Sequence, residues 1–258
     1  MRKKRSSRAE SEEMAALARA VERSLAEGCA GLNHLSTPLG RANYQCKADI
    51  VSDLKLDGGR LLDWGCGYGQ MSYLLRNRGF NVVSYTIESE YPSPWNSFLR
   101  EHALDVVYGE DPVRLPFEDE SFDVVLSCGV LEYVEDESGS LTEIRRILRP
   151  GGLFVVMMLP NEWSYAEFIA RNIFKASAHD RLYSIKMMCL LLARFGFRAI
   201  RTWYSNTLPK NFTPLPERLR QLLGAHPRLW LGTEALLSRI PPVSWLSGVV
   251  EGAFVRLP

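Results

Sequence analysis

Long apolar runs are missing from this chain. No stretch is long enough to span a bilayer. The basic start (Arg2, Lys3, Lys4, Arg5, Arg8) leads into Glu10, Glu12 and Glu13, not into the apolar segment of a secretory leader. Paired cysteines are missing too. The five cysteines, Cys29, Cys46, Cys66, Cys128 and Cys189, are scattered and odd in number. They include no Cys-x-x-Cys, so neither a zinc site nor a disulfide framework is expected, no metal site is assigned, and a reducing cytoplasm fits. Excess charge of either sign is absent: 31 Lys and Arg against 30 Asp and Glu leave a formal +1. No strong global field favours nucleic acid. The basic run at the start reads as a solvated tail. There is no internal repeat and no low-complexity segment.

What is present suits one α/β domain with additions, given 258 residues. Met14, Leu17, Ala18, Val21 and Leu25 fall on one helical face. A second helix is expected over residues 43–54. From Arg60 the rhythm changes to alternating strands and helices. Strands are expected at 60–64, 81–86, 104–108, 122–127, 153–159 and 197–204, with helices at 70–78, around 141–148, at 162–174 and at 185–195. Residues 206–248 are Pro-rich, with helical pieces near 218–222 and 234–240, and 253–257 reads as a last strand. Such alternation means an open α/β sheet with right-handed crossovers. Three regions follow: a basic tail and lid helices (1–55), a core (56–205), and a helical cap insertion with the last strand (206–258).

The segment Leu61-Leu62-Asp63-Trp64-Gly65-Cys66-Gly67-Tyr68-Gly69-Gln70 places three glycines behind the first strand. A dinucleotide site wants G-x-G-x-x-G, whose third glycine lets helix pack on strand. Here the spacing is G-x-G-x-G, Gln70 follows, and Asp63 stands two residues before the first glycine. A carboxylate there would repel a pyrophosphate and suit a cation. S-adenosylmethionine carries an ammonium and a sulfonium and no phosphate, and bare glycine backbone lets its carboxylate tail approach closely.

Leu61–Gly69 resembles motif I of the class I S-adenosylmethionine-dependent methyltransferases. The resemblance continues through Asp111, Leu115-Pro116-Phe117, Ser121-Phe122-Asp123-Val124-Val125, Val130-Leu131-Glu132-Tyr133-Val134 and Leu148-Arg149-Pro150-Gly151-Gly152. It covers about residues 45–205, in the order and spacing of the subgroup acting on small molecules and lipid-linked compounds. It implies a Rossmann-like sheet of seven strands, six parallel and one reversed near the C-terminal edge. It implies that Asp63, Gly65, Cys66, Gly67 and Gly69 hold the methionine end of S-adenosyl-L-methionine, that Asp111 with Pro112 meets the adenine, and that Ser127 lines the pocket near the methyl. The family places an acid at the end of the second strand for the ribose hydroxyls. Thr86 stands there, and Glu88 is the nearest acid. Either Glu88 takes the ribose from a slightly longer strand end, or it is exposed and plays no part.

Methyl transfer needs a general base only when the acceptor must lose a proton early. The candidates are His34 in the lid, His179 after the fifth strand, and Glu132 and Tyr133 after the fourth. Ser127-Cys128-Gly129-Val130 lacks the Asn/Asp-Pro-Pro-aromatic signature of amino-methylating DNA enzymes, and Cys128 reads as a small buried hydrophobe. Large apolar side chains (Trp163, Phe168, Leu219, Leu222, Leu236, Trp245) crowd the additions at the strand ends. They suit either a cap over a hydrophobic acceptor or ordinary packing. The reading is an S-adenosylmethionine-dependent methyltransferase that O-methylates a sugar, glycolipid intermediate or natural product. It would be cytoplasmic, with peripheral membrane contact through 206–248 as a further expectation. The rivals are a non-catalytic cofactor-binding scaffold and an NAD-dependent oxidoreductase.

Overall fold

A computed structural model describes residues 7–27, 32–54, 59–87, 95–172, 179–210 and 215–258. Its sheet holds seven strands: β1 (Arg60–Trp64), β2 (Asn81–Ile87), β3 (Val106–Gly109), β4 (Phe122–Cys128), β5 (Leu148–Pro160), β6 (Phe197–Ser205) and β7 (Val249–Arg256). Their spatial order is β3-β2-β1-β4-β5-β7-β6. β1 to β5 pair in parallel, and β7 runs antiparallel between β5 and β6. The order reverses between β1 and β4, and ligands of open α/β sheets bind at the carboxyl ends of strands at such a switch.

The helices are α1 (Ser7–Ala26), α2 (Pro38–Ser52), α3 (Gln70–Arg76), α4 (Trp95–Glu101), α5 (Glu137–Ile147), α6 (Tyr165–Asn172), α7 (Ile185–Arg194), α8 (Glu217–Gly224) and α9 (Pro227–Leu237). The central strands are largely apolar because both faces are covered. Leu61, Val124, Leu126, Val155 and Met157 pack with α1, α2 and α3 on one side. Leu62, Val125, Phe154, Val156 and Phe254 pack with α5 and α7 on the other.

Several boundaries differ from the sequence expectation. The second helix starts five residues early, at Pro38, because Thr37 caps it by accepting from the Gly40 amide at 3.1 Å. In α1 the buried stripe is Glu13, Ala16, Leu17, Val21 and Ser24, and Leu25 is exposed. Polar contacts set that face: Glu13 accepts from Gln45 Nε2 at 3.0 Å, Asn77 Nδ2 at 3.1 Å and Arg78 at 3.4 Å. A periodicity of apolar residues cannot register a buried carboxylate. The fifth strand begins at Leu148, paired with Phe122, so Pro150-Gly151-Gly152 lies inside β5, with Gly151 at φ 78°, and the helix before it already ends at Ile147. The second cap helix starts at Pro227, not at Glu234. Proline at its first turn loses no bonded amide.

Candidate functional site

Behind β1 the chain makes a turn in which Gly65, Gly67 and Gly69 all take positive φ (70°, 52° and 75°). Two of these glycines also answer to packing. A Cβ on Gly65 would lie 2.5 Å from Val130 Cγ2, and one on Gly69 would lie 2.4 Å from Leu99 Cδ2. Gly67 differs, since a Cβ there would meet nothing within 4 Å. The turn is held by Cys66 N–H donating to Tyr85 O and Gly69 N–H donating to Cys66 O, each at 2.9 Å. Gly69 is the N-cap of α3 in left-handed conformation, so Gln70 opens that helix instead of serving as a third close-packing glycine.

Asp63 is buried at the end of β1, on the face that meets α3. Ser72 Oγ donates to its Oδ2 at 2.6 Å, and Ser84 Oγ donates to Ser72 Oγ at 2.8 Å. Burial pushes the Asp63 carboxyl up to about 6, against the bonds from Ser72. The Cys66 thiol is buried and pushed well up, and burial also raises Cys128, as befits small hydrophobes.

A cavity of about 340 Å³ opens at the switch point. Trp64 and Gly65 from β1, and Tyr85, Thr86 and Ile87 from β2, form one wall. Pro112 after β3, and Gly129, Val130, Tyr133 and Val134 after β4, form the other. Thr86 thus faces the cavity, and Glu88 lies outside the described residues. Asp111 is exposed beside Pro112, and its Oδ1 accepts from the Val113 and Arg114 amides at 2.8 and 2.9 Å. These amide bonds hold its carboxyl below the usual range. Ser127, one residue before the end of β4, is fully buried, with its Oγ lacking a partner among the described residues. The cavity wall takes Gly129 and Val130 from that strand end.

Of the four proton-transfer candidates, three come together. Tyr133 lines the cavity and meets the His179 ring at 5.8 Å between centroids, tilted by 42°. Glu132 is buried behind it, with Oε2 lacking a partner among the described residues, and burial raises its carboxyl to about 7. His34 is apart from these three: its ring meets that of Tyr44 on α2 at 5.3 Å, tilted by 40°, and Tyr44 in turn hydrogen-bonds Gln70 behind the glycine turn. Sequence reasoning missed Glu167. It is buried on α6, with Oε2 3.3 Å from His179 Nδ1. The pattern Ser164-Tyr165-Ala166-Glu167 was visible, but it reads as an ordinary capping box.

The additions crowd the same end of the sheet. Asn161, just past β5, is fully buried and donates to the Trp245 and Ser247 carbonyls, both at 2.8 Å. Trp163, Phe168, Leu222, Leu236 and Trp245 are exposed, so packing onto the core does not account for them. No helix of the described residues is long and apolar enough to cross a membrane, and no group of three or more His, Cys, Asp or Glu among them could hold a metal ion.

Residues 62–156 match the family model described as a methyltransferase domain. A 103-residue segment is 42% identical to a probable phthiotriol/phenolphthiotriol dimycocerosates methyltransferase 2 of Mycobacterium ulcerans, over 38% of this chain and 39% of that protein. A 124-residue segment is 35% identical to the fatty-acid O-methyltransferase of Mycolicibacterium smegmatis, over 46% and 44% of the two chains. The chain therefore spans less than half the length of either relative. The fold matches Burkholderia thailandensis 1,6-didemethyltoxoflavin-N1-methyltransferase, solved with bound S-adenosylhomocysteine, at TM-score 0.58 and 15% identity, over 96% of this chain and 90% of that one. Glycine turn, strand order and sequence match coincide on one segment: residues 62–156 carry a methyltransferase domain, and over that segment the chain is similar to S-adenosylmethionine-dependent methyltransferases.

Proposed function

We propose that this protein transfers a methyl group from S-adenosylmethionine to an oxygen of an apolar or lipid-linked acceptor, such as a glycolipid intermediate or a natural product. The observation that carries the reading is the cavity at the switch point, flanked by the glycine turn on one side and by Tyr133 on the other. The residues present fit the cofactor. Gly67 leaves open space beside the turn, and a cationic group beside Asp63 would favour the ionised carboxylate against the desolvation that now opposes it. Pro112 and Ile87 offer apolar surface for a flat ring. Asp63 and Gly65–Gly69 would hold the methionine end, and Asp111 with Pro112 the adenine. Asp111 Oδ1 is already taken by two amides, which leaves Oδ2 as the acceptor for an amino group. Thr86 or Glu88 would meet the ribose. When bound, the cofactor supplies a methyl on a sulfonium, already activated, so the chain's task is to place the acceptor in line and keep water away.

Calorimetric titration with S-adenosylhomocysteine and with NAD, followed by a methyl-release assay over hydroxylated lipids, sugars and quinols, tests this. Binding of S-adenosylhomocysteine but not NAD, with turnover on an apolar hydroxyl compound, is the expected result. Tight binding without turnover on any acceptor would instead support a cofactor-binding scaffold.

The cap adds peripheral membrane docking to the proposal. Between residues 218 and 250 the sole acid is Glu234, against Arg218, Arg220, Arg228 and Arg239. Glu234 is turned inward, accepting from the Thr207 and Leu208 amides at 2.9 and 2.7 Å. On α9, Leu229 and Leu236 stand two turns apart on one face, 71% and 65% exposed. Arginines beside exposed leucines suit an anionic interface. Vesicles containing phosphatidylglycerol should sediment the protein and pure phosphatidylcholine should not. Reversing Arg218, Arg228 and Arg239 to Glu should abolish sedimentation, and equal binding by that variant would end the idea.

A further inference from the structure

Ser164 and Glu167 have the spacing of a capping box, in which the glutamate would reach back to the serine amide. Here only half of the box forms. The Glu167 amide donates to Ser164 Oγ at 3.2 Å, but the Ser164 amide donates instead to the Asn161 carbonyl at 3.1 Å. The carboxylate is thereby released from capping while remaining buried. It turns toward the segment that follows β5: Oε1 accepts from Arg171 Nε at 3.1 Å, and Oε2 lies 3.3 Å from His179 Nδ1. Arg171 also donates to the His179 carbonyl, which ties that backbone to the same helix. The imidazole then rests against the ring of Tyr133, a wall of the cavity, with centroids 5.8 Å apart and planes tilted by 42°.

We infer that Glu167 is a positioning residue that holds His179 as the base for a hydroxyl acceptor seated against Tyr133. The inference rests on the O-methylation reading above and narrows it to acceptors whose oxygen carries a proton, alcohols or phenols rather than carboxylates. A carboxylate facing Nδ1 selects the tautomer with the proton on that nitrogen, which leaves the Nε2 lone pair free to accept. In the reaction the acceptor oxygen bonds to the methyl carbon as the carbon–sulfur bond breaks, and that bond's electron pair stays on sulfur. The hydroxyl proton passes to Nε2, and Glu167 faces the imidazolium so formed. Solvent then takes the proton. No oxidant, metal or further reactant enters the balance.

Two measurements test the inference, and the first needs no turnover. Long-range ¹H–¹⁵N correlation spectra of the cofactor-free protein, with His179→Gln used to assign the ring, should show His179 protonated at Nδ1 when neutral. Free histidine prefers the proton on Nε2. Glu167→Ala should shift the ring to that ordinary tautomer, while Glu167→Gln, whose amide oxygen still accepts, should keep the native one. A wild-type ring protonated at Nε2, or the same tautomer in wild type and Glu167→Ala, overturns the positioning role.

The second measurement is turnover on a ladder of substituted phenols, from 4-nitrophenol to 4-methoxyphenol, beside dodecanoic acid and dodecylamine. His179→Ala should lose about 10²-fold or more in kcat, with S-adenosylhomocysteine affinity within twofold of wild type. The loss should grow as the phenol becomes less acidic, which a merely structural role would not produce. Glu167→Gln should fall between wild type and His179→Ala in kcat with KM nearly unchanged. A loss independent of phenol acidity overturns the base role. Turnover confined to the carboxylic acid or the amine overturns both the base role and the hydroxyl reading beneath it, whereas the tautomer result stands or falls on its own spectra.

Discussion

Glu132 carries the site's most testable single group. Its carboxyl is buried on the segment after β4 and is raised from 4.5 to about 7, chiefly by desolvation. Between those two values the unfolded chain has released a proton that the folded chain still holds. Its contribution is therefore fully present below pH 4.5 and is lost as pH rises through 7. Asp63, raised to about 6, acts in the same direction. Glu132→Gln removes one of these liabilities. Urea unfolding of both proteins should show the variant gaining on wild type between pH 4 and pH 8, by on the order of 3 kcal/mol. A difference that does not change with pH would mean that the carboxyl is not desolvated in solution. The glycine turn separates stability from binding in the same way. Gly65→Ala drives a Cβ against Val130 at positive φ and should cost about 3 kcal/mol. Gly67→Ala pays only the backbone cost, about 1 kcal/mol, but fills the open space. Thermal melts should rank Gly65→Ala as the less stable, while calorimetry should show a tenfold or greater loss of S-adenosylhomocysteine affinity in Gly67→Ala.

Between elements, buried charge fastens the N-terminal helices and the cap to the sheet. Lys47 on α2 pairs with Glu251 on β7, both side chains almost wholly out of solvent. Glu251 also accepts from the Met158 amide at 3.1 Å and from Trp203 Nε1 at 2.7 Å. A second pair, Lys210 with Glu234 at 3.4 Å, joins the chain after β6 to α9. Lys47→Met leaves Glu251 buried without its cation and should cost about 3–5 kcal/mol in urea unfolding. Adding Glu251→Gln should restore much of that loss, since a glutamine oxygen can still accept from Met158 and Trp203. If the double variant is no better than the single, the penalty comes from packing and not from charge. These contacts also explain what the chain's periodicity concealed. The strands of the central sheet were legible because each is a short apolar run flanked by turn residues. The true face of α1 was not, because it is settled by Glu13 pairing with Arg78, in the turn after α3.

At the scale of the whole molecule, the cavity at the switch point and the cap share one end of the sheet. A ligand that binds only the folded state stabilises it by about 2.7 kcal/mol at a hundredfold excess over its dissociation constant. S-adenosylhomocysteine at that excess should therefore raise the melting temperature by about 5–10 °C in a chain of this size. An unchanged melting temperature, with binding seen by calorimetry, would mean that the ligand also binds the unfolded chain. Local sequence alone determined the glycine turn, the apolar central strands and the family resemblance, because each is written in contiguous residues whose backbone needs are strict. Tertiary structure decided the rest. The reversal of β7 between β5 and β6, the inward turn of Glu234, and the meeting of Glu167, His179 and Tyr133 join residues far apart in the chain. Local propensity holds no record of such partners. Their placement follows from burying two faces of one sheet while leaving as few polar groups as possible unpaired.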